Sequence, residues 1–447
     1  MAGSPNILFI LTDQQTRTAM GAYGNPHVKT PNLDALAAGG MRFERSYCTS
    51  PVCSASRSCL FTGRMAHETG VEVNGQKMRD GIPFLGDVFR EGGYEASHVG
   101  KWHVGERRGF DFPGPIFPEA ARPELASFGS ETDPFWADEA IAFLQKPRDR
   151  PFLLVVSLHN PHDICHWIVD QVPAVEEPGE EELPPLPSNF EPDPDEPEFI
   201  TIRRGLTRYG NEINWTTDWD ETDWRKYIHA YYKFTERVDA EAGRVLDALQ
   251  ESGLAADTLV IFTSDHGEGV AGHKWVAKLM LYEGPVTVPF LIRYPGVVPE
   301  GAVDDAHLVS GMDVVPTLCD FAGVEPPRTV TGASLKPVIE DPAAPWRDYL
   351  VAELSTDTDQ LNMTGRMVRT ERFKYMVFSE GRNPELLFDM DQDPGEQNNL
   401  AANPDCRGEL RKHRDLLMAW KGETADTFVF PQGLLGDTAL ERHNDRA

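Results

Sequence analysis

The chain has 447 residues, of which 71 are acidic and 42 are basic, and its formal net charge at pH 7 is −29. This charge argues against a protein that binds nucleic acid or an anionic membrane, because both need a basic face. The hydrophobic content of 40% is typical of a globular protein, and no apolar run approaches the roughly 18 residues of a membrane span. We see no signal peptide and no disulfide spacing among six cysteines, so a cytoplasmic location is expected, or a periplasmic or secreted one if a leader was removed.

Three apolar runs, over residues 6–11, 151–157 and 258–264, predict buried strands of a mostly parallel sheet. Polar residues follow each run, with Asp13 after the first and Asp265 after the third. Active sites of open α/β sheets lie beyond the carboxyl ends of the strands, so these ends predict one common site. Helix-like segments between the strands support an α/β fold.

The pattern changes after about residue 345. Short strands over 348–353, 365–370, 373–378 and 385–389 and a helix over 409–420 predict a small antiparallel sheet plus helix. We therefore expect a catalytic domain over residues 1–345 and a C-terminal subdomain over residues 346–447.

An acidic, proline-rich insertion lies at residues 175–198. It holds ten acids, seven prolines and no basic residue. This composition predicts an extended surface segment, which is either a solvated loop or a loop that gates a substrate.

A cysteine motif carries the strongest functional signal. Residues 53–64 read Cys-Ser-Ala-Ser-Arg-Ser-Cys-Leu-Phe-Thr-Gly-Arg. This resembles the signature of the type I, formylglycine-dependent sulfatases of the alkaline phosphatase superfamily, in which Cys-x-Pro-Ser-Arg precedes Thr-Gly-Arg. Ala55 stands where proline is commoner, although Cys-x-Ala-x-Arg also occurs in that family. The resemblance implies an alkaline-phosphatase-like fold with a large, mostly parallel sheet flanked by helices.

Other segments extend the resemblance, in the family's order, over nearly the whole chain. They are residues 6–13, 100–105, 159–162, 263–268, Lys278, 288–296, 313–317 and 387–396.

An oxygen-rich set of side chains predicts one divalent cation. The set is Asp13, Asp265 and His266 with the side-chain oxygen of Gln14, and the resemblance adds Cys53 in its oxidised form. Such ligands suit a hard cation, Ca²⁺ or else Mg²⁺, better than a structural zinc ion. Many sulfatases carry a second aspartate where Gln14 stands, so the site lacks one negative charge here.

The resemblance also implies the chemistry at Cys53. A formylglycine-generating enzyme would oxidise Cys53, and one hydroxyl of the hydrated aldehyde would attack sulfur. Arg57 and Lys101 would hold this diol, and His103 would deprotonate its second hydroxyl to expel sulfate.

Two further residues are candidates for protonating the leaving alcohol, because ester cleavage needs an acid there. The resemblance gives this role to His162 or Lys278. It leaves His159 as a neighbour or a substrate contact.

We therefore predict a sulfatase acting on a sulfated carbohydrate or a small sulfate ester. One alternative is a phosphonate monoester or phosphodiester hydrolase, which shares the fold, the formylglycine and an opening aspartate followed by glutamine, as at Gln14. Another is a glycan-binding relative without catalysis.

Several residues near these motifs have simpler interpretations. We expect Asp313 to cap the helix that begins at Val314, and Cys48 and Cys59 to lie in the core. Three tryptophans line a sugar-binding rim or form a packed aromatic loop, and they are Trp215, Trp219 and Trp224.

Overall fold

The computed structural model describes residues 4–113, 128–176, 178–205, 216–356 and 364–434. The strands, in chain order, are β1 (Asn6–Asp13), β2 (Met41–Phe43), β3 (Ser46–Tyr47), β4 (Glu95–Gly100), β5 (Phe152–Pro161), β6 (Thr258–Ser264), β7 (Phe290–Arg293), β8 (Ala302–Asp304), β9 (Val309–Ser310), β10 (Tyr349–Ser355), β11 (Thr364–Thr370), β12 (Phe373–Phe378) and β13 (Glu385–Asp389).

Seven of these strands form one sheet in the order β4-β5-β1-β6-β7-β2-β8. Neighbouring strands run parallel except where β7 pairs with β6 and with β2. The predicted large, mostly parallel sheet is therefore confirmed, and the three strands predicted from apolar runs lie side by side at its centre.

The helices, in chain order, are α1 (Pro31–Ala38), α2 (Cys53–Thr62), α3 (Ala66–Thr69), α4 (Leu85–Glu91), α5 (Gly129–Leu144), α6 (Ile164–Asp170), α7 (Glu198–Gly205), α8 (Glu221–Glu251), α9 (Glu283–Val286), α10 (Val314–Ala322), α11 (Lys336–Glu340) and α12 (Arg407–Thr424). Among the helices of the described residues, we find none that combines the length and the apolar character of a membrane span.

Strand β1 is apolar throughout because both of its faces are covered. Side chains alternate along a strand, so Phe9 packs in one hydrophobic cluster with α2, α4 and α10. Ile10 packs on the opposite face in a second cluster, with α1, α5 and α8. This burial on both faces explains why the sequence shows a continuous apolar run rather than an alternating one.

The predicted C-terminal sheet is also present. Strands β10 to β13 form it in sequence order, and each pair of neighbours is antiparallel. On one face, Val368 packs with Leu417 of α12. On the other face, Met367 packs in a cluster with Leu281 of the main part of the chain. One hydrophobic cluster thus spans both parts, and the division between residues 345 and 346 stays a prediction.

The acidic segment 175–198 is attached to the surface at several points. Phe190 lies edge-on to Trp224, with ring centroids 5.4 Å apart. The Asn189 carbonyl accepts a hydrogen bond from the His273 backbone N–H at 2.7 Å, and Glu191 pairs with Lys274 at 2.7 Å. These contacts attach the segment to α8 and to the loop after β6, and its gating role stays a prediction.

Asp313 is the N-terminal cap residue of α10, as expected, but its side chain makes no capping hydrogen bond to that helix. Asp313 has helical backbone angles, because a single 3₁₀ turn over Gly311–Asp313 runs directly into the helix. Its carboxylate therefore points back and accepts the Ser310 backbone N–H at 2.8 Å. It also accepts hydrogen bonds from both terminal nitrogens of Arg347.

The tryptophans that are described form a packed aromatic cluster. The rings of Trp219 and Trp224 lie 5.0 Å apart and nearly perpendicular, and Trp219 also lies 6.4 Å from Trp167. These contacts favour the packed-loop interpretation for both residues. Trp215 lies outside the described residues.

The cysteines agree with the expected reduced state. The structure describes all six as free thiols, and Cys48 and Cys59 are buried as predicted for core residues.

His67 links α3 to the C-terminal part of the chain. Its Nδ1 lies 2.6 Å from Glu353 Oε1, and its Nε2 lies 3.0 Å from the Thr424 carbonyl oxygen. A carbonyl only accepts and the carboxylate accepts when ionised, so this pair of contacts favours the doubly protonated ring. Burial opposes that charge, but the hydrogen bond and the charge of Glu353 raise the pKa of His67 above its ordinary value.

We expect His67→Gln to lower the melting temperature more at pH 5.5 than at pH 9. A raised pKa in the folded state gives stability that is present below the unfolded-state pKa of about 6.5 and is lost as pH rises through the folded-state value. Thermal melts at both pH values measure this difference. The control His27→Gln, at an exposed histidine, should give the same shift at both pH values. Equal shifts for His67→Gln would contradict the prediction.

Candidate active site

Four predicted residues meet at the carboxyl edge of the central sheet. Asp13 ends β1, Asp265 and His266 follow β6, and Cys53 is the first residue of α2. Their potential ligand atoms lie within 4.8 Å of one another, and all four residues are buried. The helix N-terminus at Cys53 adds a partial positive charge to this cluster.

Arg57, one turn further along α2, joins the two carboxylates. Its Nε donates to Asp265 Oδ2 at 2.7 Å and its Nη2 to Asp13 Oδ2 at 3.2 Å. Its Nη1 donates to Ser157 Oγ at 2.7 Å and to the Lys101 carbonyl at 2.9 Å. Four of its five N–H groups therefore donate to protein partners, and these bonds join the ends of β1 and β6.

The two carboxylates differ in their pKa values. Burial opposes the charge of Asp13, but surrounding cations, led by Lys101, lower its pKa well below the ordinary value. Burial and the adjacent Asp13 raise the pKa of Asp265 to about 6. A cation bound between them would favour the charged forms of both carboxylates.

His266 presents one nitrogen to the cluster. Its Nδ1 lies 2.9 Å from the Gly267 carbonyl oxygen, which can only accept, so Nδ1 carries a proton. In the neutral ring, Nε2 then has a free lone pair, and this atom lies 3.2 Å from Cys53 Sγ. That is the tautomer that a metal ligand needs.

The Cys53 thiol lies among positive groups. Its Sγ is 2.7 Å from Lys278 Nζ. Burial and the Asp13 carboxylate oppose its ionisation, but Lys278, Lys101 and His266 outweigh both effects. The pKa of the thiol therefore falls well below its ordinary value. Residue 53 lies where the protein stabilises negative charge.

Gln14 lies beside the cluster with its amide fixed at both ends. Its Oε1 accepts a hydrogen bond from Lys278 Nζ at 2.9 Å, and its Nε2 donates to Glu268 Oε2 at 2.5 Å. The oxygen thus lies next to a group that also contacts Cys53. Its role as a metal ligand stays a prediction.

Lys101 and His103 follow β4 in the same turn. Lys101 Nζ lies 2.7 Å from Asp13 Oδ2. His103 has a left-handed backbone, with φ of 56°, and its buried Nδ1 has no hydrogen-bond partner in the part of the chain that is described. Strained backbone of this kind is common at functional sites.

His159 and His162 lie together at the end of β5. His159 Nε2 is 3.2 Å from His162 Nδ1, so one ring donates to the other. Burial and the positive charge of Lys101 lower the pKa of both rings well below the ordinary value. The pair is therefore neutral in this arrangement, and one proton is shared along it.

Two aspartates that were not predicted hold this histidine turn. Asp133 of α5 accepts the backbone N–H of His159 at 2.6 Å and that of Asn160 at 2.9 Å. In return, Asp163 of the turn accepts the backbone N–H groups of Gly129 and Ser130 at the start of α5. No motif marks Asp133, which lies inside a helix, so no signal in the sequence could have found it.

Glu268 and Ser157 were also missed as site residues. Glu268 follows Asp265-His266-Gly267 directly, so its proximity in sequence was a usable signal. Ser157 lies inside β5, and only the hydrogen bond that its hydroxyl accepts from Arg57 shows that it helps to hold that side chain.

Comparison with known proteins gives the class of this site. The sulfatase family model matches residues 5–324, and the C-terminal model of N-sulphoglucosamine sulphohydrolase matches residues 271–419. The chain therefore belongs to the sulfatase family, and it is a sulfuric ester hydrolase.

Individual relatives agree. Over 425 residues, the chain is 34% identical to a Delta 4,5-hexuronate-2-O-sulfatase of Bacteroides thetaiotaomicron, which covers 92% of this chain and 88% of that protein. The solved structure of a 2-O GAG sulfatase has a TM-score of 0.85 at 32% identity, covering 95% of this chain and 93% of that one. A phosphonate monoester hydrolase of Agrobacterium radiobacter is a more distant neighbour, with a TM-score of 0.79, 27% identity and coverage of 95% and 97%.

We expect Asp133→Asn to lower kcat by about 10-fold with a smaller change in KM. The new amide would present N–H to at least one backbone N–H of the histidine turn, so His159 and His162 would shift. Steady-state kinetics on a cleaved sulfate ester measures the effect. The control Asp138→Asn, on the exposed side of the same helix, should leave kcat unchanged. Full activity of Asp133→Asn would show that this contact does not position the turn.

Proposed function

We propose that this sulfatase removes a sulfate group from a sulfated carbohydrate, using formylglycine at position 53 and one divalent cation. The observation that carries the proposal is the buried cluster of Asp13, Asp265 and His266 around Cys53 Sγ, bordered by Lys278. Such a cluster has no role in packing, because burying several ionisable groups together is costly without function.

The donor set fits a hard cation. Two carboxylates are available with one imidazole, whose Nε2 has a free lone pair when the ring is neutral, and the Gln14 oxygen is adjacent. This oxygen-rich set favours Ca²⁺ or Mg²⁺ over structural zinc. When bound, the cation supplies positive charge that polarises the sulfuryl oxygens. Asp13, Asp265 and His266 would hold it.

Position 53 also fits formylglycine. The residue opens a helix in a buried, positively charged environment, which suits a strongly polar group. Formylglycine supplies an aldehyde whose hydrated form is an oxygen nucleophile. A maturating enzyme is the partner that would install it.

The remaining residues would attract the sulfate anion, hold the carboxylates in place and protonate the leaving alcohol. Lys101 and Lys278 direct their ammonium groups to Asp13 and to Cys53, where a sulfate anion would be attracted. Arg57 holds the two carboxylates in place, and the second N–H of its Nη2 would remain for the hydrated aldehyde. His162, once protonated, or Lys278 would supply the proton that a leaving alcohol needs, with His159 beside His162.

The substrate proposal draws on the relatives. The first compound to test is a disaccharide with a 2-O-sulfated, Δ4,5-unsaturated hexuronate, since a relative with 34% identity is named for that group. A phosphonate monoester belongs in the same panel as a comparison.

We expect peptide mass spectrometry of active protein to find an aldehyde or its hydrate at position 53. Cys53→Ala should lower kcat by about 10³-fold or more, because it removes the nucleophile. The matched control Cys59→Ala removes a buried thiol from the same helix and should retain activity. Active protein with an unmodified Cys53 thiol would contradict the mechanism, and binding of the disaccharide without turnover would favour the glycan-binding alternative.

We expect one calcium-type ion per chain by elemental analysis, and its loss in Asp265→Asn together with activity. The reason is that Asp265 contributes one of the two buried carboxylates of the cluster. Asp304→Asn is the control, since Asp304 is a buried aspartate paired with His307 instead. Two zinc ions per chain would argue for a phosphatase-type site.

A further inference from the structure

Glu268 is a fully buried carboxylate at the edge of the active site. In the described part of the chain no ion pair joins it to a lysine or an arginine. Three donors reach it instead: Gln14 Nε2 at 2.5 Å to Oε2, and the Tyr227 hydroxyl and the Ala277 backbone N–H to Oε1. Burial raises the pKa of Glu268 and the charge of nearby Lys278 opposes this shift, so the carboxylate is held by these hydrogen bonds together with that cation.

The first donor fixes the orientation of Gln14. An amide can be turned by 180°, and its partners decide which end faces which way. Lys278 has only donors, and its Nζ lies 2.9 Å from Gln14 Oε1, so the oxygen must be on that side. On the opposite side, the Glu268 carboxylate accepts a hydrogen bond from the Gln14 amide nitrogen. The Gln14 oxygen therefore faces Lys278, whose ammonium lies 2.7 Å from Cys53 Sγ.

The third donor fixes the loop that carries Lys278. Glu268 accepts the Ala277 backbone N–H, and the Gly269 backbone N–H donates to the Ala277 carbonyl at 2.9 Å. The loop needs such ties because several non-glycine residues have left-handed backbones, among them Ala277 at φ 61° and Leu279 at φ 66°, on either side of Lys278. Left-handed conformations at non-glycine residues persist only where the surroundings impose them.

We propose that Glu268 is a positioning residue that holds the Gln14 oxygen and the Lys278 ammonium against residue 53 through one carboxylate. The inference rests on the proposed function, in which these two groups face the cation and the substrate. The carboxyl group that position 14 lacks is found one layer further out, at Glu268.

The test compares three proteins: wild type, Glu268→Gln, and the exchange variant that combines Gln14→Glu with Glu268→Gln. In Glu268→Gln, the new amide cannot accept from Gln14, Tyr227 and Ala277 at once, so Gln14 turns or moves. The exchange variant restores a donor at 268 facing an acceptor at 14, and leaves an amide oxygen for Tyr227 and Ala277.

Two readouts are used, calcium affinity by calorimetry and crystal structures of the variants. We expect Glu268→Gln to weaken Ca²⁺ binding by about 10- to 100-fold, as loss of a hydrogen bond behind a metal ligand typically does. In its structure, Lys278 Nζ should no longer lie within hydrogen-bond distance of Gln14 Oε1. The exchange variant should recover Ca²⁺ affinity to within about 3-fold of wild type, as expected for a restored donor–acceptor pair.

Glu353→Gln is the matched control. Glu353 is also fully buried, but it pairs with His67, so its loss should affect stability and leave Ca²⁺ affinity unchanged. If Glu268→Gln does not fold, Tyr227→Phe removes one of the three donors and should weaken Ca²⁺ binding by about 3-fold, the size of one lost hydrogen bond.

Wild-type Ca²⁺ affinity in Glu268→Gln, with Lys278 Nζ still bonded to Gln14 Oε1, would overturn the proposal. An exchange variant no better than Glu268→Gln would also overturn it. The structural readout needs neither cation nor turnover. Absence of sulfatase activity or Ca²⁺ binding in the wild type would therefore count against the proposed function, and the Lys278–Gln14 distance would still decide the role of Glu268.

Discussion

Two buried carboxylates, Asp13 and Asp265, share the guanidinium of Arg57, and the rest of the active site is arranged around this contact. All three side chains are completely excluded from solvent. Each ion would cost several kcal/mol if buried alone, so the contact forms only where β1, β6 and α2 meet with good geometry. The positions of these three elements and the geometry of the active site therefore depend on each other. A shift of any of these three elements would leave an unpaired buried charge.

The pocket gathers positive groups on a negatively charged molecule. Arg57, Lys101 and Lys278 face the cluster, while Glu268 adds a carboxylate at its edge to the two of Asp13 and Asp265. The whole chain, in contrast, carries −29. A sulfated substrate is thus repelled at long range and attracted at contact, and salt screens the repulsion over about 10 Å at 0.1 M. On the proposed function, we therefore expect short or terminal sulfated units to be preferred over the interior of a long polyanion.

The sequence predicted most of the sheet and the cluster, because both leave local signals. Continuous apolar runs mark strands such as β6, and motif residues such as Cys53 and Asp265 lie next to strand or helix ends. Contacts between distant segments leave no such signal. Gln14 and Glu268 are 254 positions apart, and only the fold shows that they share a hydrogen bond. The missing side-chain cap at Asp313 has the same origin, since the partner of this carboxylate, Arg347, lies 34 positions further along.

The C-terminal sheet contributes to the site although it supplies no residue to the cluster. Lys374 of β12 is fully buried, and its Nζ lies 2.9 Å from Glu283 and 2.7 Å from Glu396. Glu396 also accepts the backbone N–H of Glu283 at 2.7 Å. Glu283 begins α9, where the loop that carries Lys278 ends, so one end of that loop is fixed by the C-terminal part and the other by Glu268. The second family match covers residues 271–419, so it includes both Lys278 of this loop and Lys374 of β12.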